Sequence, residues 1–150
     1  AACMCAGQRC TAISRVIVRR GLHDDVVRGL VARAQSFRLG DGLLEGTTMG
    51  PLTNARQLAS VGKHVEAGVR AGARVATGGM PVAIDDCAGG YFFAPTILTD
   101  VAVDNPVARE EIFGPVISVL AYDSVDEAFA ILSASLDEAV AATRPGAVPA

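Results

Sequence analysis

The sequence predicts a layered α/β domain with a largely parallel sheet. Three observations predict it. Strand-like apolar runs alternate with amphipathic helical patterns along the chain. VISVLAY at 116–122 is apolar almost throughout, as a strand covered on both faces must be. No fixed-period repeat and no low-complexity linker divides the 150 residues, a length that suits one domain with one core.

The elements follow in order. GQRCTA at 7–12 leads into an apolar stretch over 13–18, where Val16, Ile17 and Val18 suggest a short buried strand that Gly21 breaks. Leu22, Val26, Val27, Leu30, Val31, Ala34 and Phe37 then recur at three- and four-residue steps. Asp24 and Asp25 stand in the first turn, where they complement the helix dipole, so this segment reads as an amphipathic helix. LGDG at 39–42 stops it, and EGTTMGPL at 45–52 is a loop.

A second amphipathic helix follows from Leu58, Val61, Val65 and Val69. Gly72 closes it, and ARVATGG reads as a strand running into a turn. YFFAPTIL at 91–98 is extended, with Pro95 placing it at an edge or a bend. After the strand at 116–122, Ser124 and Glu127 fit a capping box that starts a further helix. The alanine-rich end is compatible with a helix over 136–143 stopped by Pro145 and Gly146.

Composition narrows the function classes. Charged residues are 19% against roughly 25% in ordinary soluble domains, and apolar residues reach 51%, so the chain has little polar surface with which to cover itself. The net charge of −3 and the lack of a basic cluster interleaved with aromatics argue against a nucleic-acid partner. No apolar run approaches a membrane span and no secretory signal opens the chain, so no membrane partner is expected and the expected location is cytoplasmic. Cys3, Cys5, Cys10 and Cys87 are expected to be free thiols, and their spacing is a poor match to a zinc site, so no metal is expected. His23, with no catalytic partner at suitable spacing, reads as a surface residue.

Cys10 carries the chemical question, and three readings are open from its surroundings: nucleophile, metal ligand or small buried apolar side chain. A catalytic cysteine needs a local field that favours the thiolate, and Arg9 with the peptide N–H groups of a glycine turn could supply one. Gly7, Gly114 and Pro115 read as turn-shaping residues.

Two distant blocks, AGQRCTAISRVIV at 6–18 and REEIFGPVISVLAYDSVDEAFAI at 109–131, resemble the aldehyde dehydrogenase superfamily. That family carries a GQxC nucleophile and, about a hundred residues on, an EExFGPV segment. EGTTMGPL and the stretch from GARVATGG to YFFAPT are also similar, so the resemblance covers residues 1–131. It implies a three-layer catalytic domain and an oxidoreductase that converts an aldehyde to a carboxylic acid with NAD or NADP. Cys10 matches the nucleophile, which forms a thiohemiacetal and then a thioester. Glu111 matches the glutamate that holds the nicotinamide ribose hydroxyls, and Phe113 the aromatic near the nicotinamide. The implied partner is a small aldehyde, semialdehydes being suggested by the EGTTMGPL loop, and the full-length family implies a homo-oligomer.

The departures shape the expectation. In the family the general base, the amide that completes the oxyanion hole and the Rossmann-type glycine turn all lie upstream of GQxC, and this chain begins nine residues before Cys10. After AFAI the sequence leaves the pattern, so residues 132–150 are expected to be a divergent segment of the same, incomplete domain. The expectation is of a truncated or internally deleted catalytic-domain fragment, inactive alone and prone to self-association. Two other classes stand beside it: a non-catalytic remnant or interaction module, and a cysteine-based thiol or redox protein.

Overall fold

The computed structural model describes residues 2–142. A short 3-10 turn (Met4–Gly7) leads into β1 (Arg15–Arg19) and α1 (His23–Gln35). A long connection precedes α2 (Ala55–Arg70), β2 (Arg74–Thr77) and the short strands β3 (Pro81–Val82) and β4 (Phe92–Phe93). Then come β5 (Thr96–Thr99), α3 (Pro106–Arg109), β6 (Val116–Tyr122) and α4 (Val125–Ala142).

Four strands form one sheet in the order β1-β6-β5-β2, and β3 and β4 form a separate antiparallel ribbon. β6 lies in the middle, parallel to β1 with Arg15 opposite Ser118, and parallel to β5 with Thr96 opposite Val116. The sheet is therefore largely parallel. β2 is the exception, running antiparallel to β5 with a register irregularity between Val75 and Thr77.

The apolar run of β6 is explained by this place. Val116 through Leu120 are all buried, and successive side chains serve opposite layers. Ile117 shares an apolar cleft with Leu30 of α1 and with Phe37 just beyond that helix, whereas Ser118 donates from Oγ to the Val107 carbonyl of α3 at 3.0 Å. α1 and α3 thus cover opposite faces, which is the layered α/β arrangement. Burying a side chain such as Leu98 or Phe93 in this core contributes roughly 1.5–3 kcal/mol.

Polar joints hold the layers in register. Asn105 is buried at the N-terminus of α3, accepts from the Val107 N–H and donates to the carbonyls of Gly68 and Ala71, which fastens α3 to the end of α2. Gly68 is needed there, since a Cβ would lie 2.7 Å from Val107. Asn54 starts α2 by accepting from the Gln57 N–H at 2.9 Å.

Several sequence expectations are corrected. His23 is not a surface residue: its side chain is only 16% exposed, with Nδ1 2.9 Å from Asp24 and Nε2 2.8 Å from the Thr99 hydroxyl. The cause is tertiary, since α1 crosses the end of β5 where Thr99 lies. Thr99 is itself buried, so this group is a joint between layers and not a nucleophile. Of the two places expected for Pro95, an edge or a bend, the structure shows the bend, between β4 and β5, with β5 an interior strand. The first strand begins at Arg15 and only Val18 in it is fully buried, because β1 lies at the sheet's edge.

At α4, Ser124 accepts from the Glu127 N–H at 3.2 Å, but the Glu127 carboxylate accepts from Asp123 at 2.7 Å, one residue earlier than in a reciprocal box. α4 then runs unbroken past residue 131, merging with the separate helix expected from 136; Pro145 and Gly146 lie outside the described residues. Among the described residues no helix is long and apolar enough to cross a membrane.

Candidate active site

The segment before β1 is wound tightly. Cys5 and Ala6 both adopt left-handed conformations, with φ of 51° and 53°, and Gly7 follows at 73°. Each non-glycine residue there costs on the order of 1 kcal/mol, which the buried side chains of Cys3 and Ala6 help to offset. Gln8 then ties the turn to its surroundings: its Oε1 accepts from the Thr53 N–H at 3.0 Å and its Nε2 donates to the Cys5 carbonyl at 3.3 Å. The Ala12 N–H closes a turn onto the Arg9 carbonyl at 2.9 Å, so Cys10 and Thr11 occupy its corner. Cys10 is exposed there, and neither its thiol nor its N–H has a partner among the described residues.

The second half of the site is the loop over 110–114. Ile112 is buried while Glu111 and Phe113 on either side are exposed, so one anchor in the core turns two neighbours outward. Phe113 is left-handed, with φ of 53°. The carbonyls around it are held by one side chain, Gln57 of α2, whose Nε2 donates to Ile112 at 3.2 Å and Phe113 at 2.9 Å. Val61 packs so tightly on Gly114 that a Cβ at 114 would lie 2.5 Å from it. His64 completes the row, with Nε2 3.3 Å from a Glu110 oxygen. Gln57, Val61 and His64 follow steps of four and three, so one stripe of α2 carries the whole loop.

Both halves line one open cavity of about 510 Å³. Cys10, Glu111 and Phe113, separated by about a hundred residues in sequence, all face it. Arg9, Arg15 and Arg109 line it too, which adds guanidinium groups around the cysteine and the two glutamates. Arg15 also donates to the Ala108 carbonyl, fixing β1 to the end of α3. The Glu111 carboxylate takes no hydrogen bond or ion pair among the described residues, so its oxygens are open acceptors toward the cavity.

The four cysteines are unpaired thiols and differ sharply. Burial pushes the Cys3 thiol above its ordinary pKa, which keeps it neutral. Cys5 and Cys10 are exposed, and Cys87 is half-buried.

Sequence reasoning reached Cys10, Glu111 and Phe113 and missed Gln8, Gln57 and His64. For the last two a signal existed. The stripe 57, 61, 64 runs beside the apolar stripe 58, 61, 65, 69 and shares Val61 with it, but polar residues beside a core stripe look like ordinary solvent-facing positions.

The family model described as the aldehyde dehydrogenase family matches residues 1–137. The chain is 45% identical over 124 residues to betaine aldehyde dehydrogenase of Brucella anthropi, covering 83% of this chain and 26% of that protein. It is 44% identical over 131 residues to the mitochondrial succinate-semialdehyde dehydrogenase of Rattus norvegicus, covering 87% and 24%. Among solved structures, an NAD+ complex of an aldehyde dehydrogenase from Bacillus cereus matches with a TM-score of 0.77 at 43% identity, over 84% of this chain and 25% of that one. An aldehyde dehydrogenase from Pseudomonas syringae complexed with NAD+ and octanal matches with a TM-score of 0.82 at 35% identity, over 89% and 27%. The chain thus spans about a quarter of the length of these relatives. With the family model matching most of its residues, and the cysteine turn and the glutamate-phenylalanine loop meeting at one cavity, the chain belongs to the aldehyde dehydrogenase family.

Proposed function

We propose that this chain carries the nucleophile and the nicotinamide-ribose side of the cofactor site of an NAD(P)+-dependent aldehyde dehydrogenase, which converts an aldehyde to a carboxylic acid. One observation carries the reading: Cys10, Glu111 and Phe113 face the same cavity although the two segments lie about a hundred residues apart. Their convergence is what an attack on a carbonyl beside a bound nicotinamide requires.

In this reading the Cys10 thiolate adds to the aldehyde carbon, forming a C–S bond and an oxyanion. The Cys10 N–H, which has no partner among the described residues, is placed to donate to that oxyanion. NAD(P)+, when bound, supplies the two-electron acceptor needed to turn the thiohemiacetal into a thioester. Water then cleaves the C–S bond, releasing the acid and restoring the thiol. The open acceptors of Glu111 suit ribose hydroxyls, and the exposed ring of Phe113 suits a flat aromatic face, so the residues present fit that end of the cofactor.

The relatives named for betaine aldehyde and succinate semialdehyde support a small aldehyde as substrate. The test is ligand-observed NMR of the chain with NAD+, NADP+ and a short aldehyde, together with mass spectrometry of any adduct on Cys10. Nucleotide binding that Glu111→Gln weakens about tenfold or more, and an aldehyde adduct that Cys10→Ala abolishes, are expected. Binding that neither substitution changes would refute the assignment.

A further inference from the structure

Arg9 stands directly before Cys10, and its exposed side chain lines the cavity that both residues share. Its guanidinium makes no hydrogen bond and no ion pair among the described residues. The other charged groups of the cavity are placed differently. Arg15 already donates to the Ala108 carbonyl, and Arg109 enters from the end of α3. A Glu110 oxygen lies 3.3 Å from His64, and Glu111 offers the acceptors assigned above to the ribose hydroxyls. Neither glutamate pairs with Arg9.

An open guanidinium is a selective group. Its N–H donors form a rigid fork that meets a carboxylate through two parallel hydrogen bonds, and an uncharged alkyl end gains nothing from it. Consecutive Cα atoms are about 3.8 Å apart, so this fork is anchored beside the cysteine and its reach from the nucleophile is short. The cavity of about 510 Å³ also takes the nicotinamide end of the cofactor in the function proposed above, which leaves room for a short carbon chain between the two groups.

Resting on that function, we propose that Arg9 determines substrate specificity: it binds the far carboxylate of a short aldehyde while the Cys10 thiolate adds to the carbonyl carbon at the other end. The substrate class is the ω-carboxy aldehydes. An uncharged aldehyde of equal length reaches the same nucleophile and leaves the fork unused. Because Arg9 is exposed, the discrimination is that of a solvated ion pair, about two- to fivefold.

The experiment uses the whole chain and two pairs of probes, each pair differing in one carboxylate. Iodoacetate and iodoacetamide alkylate the same thiolate with loss of iodide, so the ratio of their rates at Cys10 cancels any change in thiolate fraction and reads the preference for an anion. That ratio should fall about two- to fivefold in Arg9→Gln and recover in part in Arg9→Lys. It should also shrink at 1 M salt, where screening acts within about 3 Å. Arg19→Gln removes the same charge from the far end of β1, outside the cavity, and should leave the ratio intact. The second pair is succinate semialdehyde and butanal, alike in their four carbons, read as protection of Cys10 from iodoacetamide. The semialdehyde should protect at about two- to fivefold lower concentration, and Arg9→Gln should make the two equal. A ratio that Arg9→Gln leaves unchanged, or that Arg19→Gln lowers as much, would overturn the proposal, and NAD+ affinity lost in Arg9→Gln at an unchanged ratio would assign the guanidinium to the cofactor instead. A lowered ratio with no protection by either aldehyde would support the carboxylate contact and overturn the aldehyde reading on which the substrate class rests.

Discussion

The carbonyl oxygen of Gly114 occupies the space a side chain at Gly7 would need: a Cβ built on residue 7 falls 2.1 Å from it. Turn and loop therefore meet backbone to backbone, and this contact brings Cys10 to the Glu111 side of the cavity. Gly7 is also left-handed, so the position excludes other residues on two counts. Gly7→Ala should cost about 2–4 kcal/mol in urea unfolding. Gly21→Ala, where a Cβ meets nothing within 4 Å and φ is not left-handed, should stay within about 0.5 kcal/mol. Equal effects at the two sites would mean that the close approach is not what the chain depends on.

Thiol chemistry should separate the four cysteines. Iodoacetamide at neutral pH is expected to modify Cys10 ahead of Cys5 and Cys87, with Cys3 last because it is buried and held neutral. Peptide mapping gives the order. The raised pKa of Cys3 also has a stability consequence. Its contribution is complete while the thiol is protonated in both states, and it declines once the pH passes the ordinary thiol value, where the unfolded chain loses the proton first. Cys3→Ser should flatten that alkaline decline.

Glu111 and Phe113 should dissociate binding from stability. Glu111→Gln leaves no partner behind, so the midpoint of unfolding should move by less than about 0.5 kcal/mol while nucleotide affinity falls about tenfold or more. Phe113→Gly relieves a left-handed side chain and should hold stability or raise it by about 1 kcal/mol, yet weaken nucleotide binding. A loss of stability that matched the loss of binding would place both residues among packing positions.

Val125, Phe129 and Leu132 lie at steps of four and three on α4 and are 66%, 62% and 47% exposed, which makes an apolar stripe on the outside of the chain. Self-association is therefore expected in sedimentation velocity, and Phe129→Glu should shift the chain toward monomer without changing its circular dichroism. A monomeric parent at all concentrations, with no binding of a hydrophobic dye, would refute this.

Much of this was legible in the chain because it was written locally. The stripes of α1 and α2, the buried run of β6 and the glycine turn before Cys10 each follow from periodicity or backbone freedom within a few residues. The family motif added Glu111 and Phe113, whose exposure here follows from the buried Ile112 between them. Other features depend on partners far away in sequence. His23 waits on Thr99, Gln57 on the carbonyls of Ile112 and Phe113, and the antiparallel direction of β2 on the hydrogen bonds of β5. No local pattern encodes a partner's position, so these needed the folded arrangement.

The edge position of β1 carries a consequence for how the protein is made. Among the described residues its one strand neighbour is β6, and Arg15 pairs with Ser118. During synthesis at roughly 5–20 residues per second, the strand behind the nucleophile emerges and then waits on the order of 5–20 s for its neighbour. Pairing over so long a separation is slow in its own right. Until β6 arrives, the cysteine turn has neither Gly114 to rest against nor the arginine and glutamate of the α3 loop around it. A ribosome stalled before residue 116 would thus display a naked thiol on an unpaired strand, a target for chaperones and oxidants that the finished chain does not present in that form.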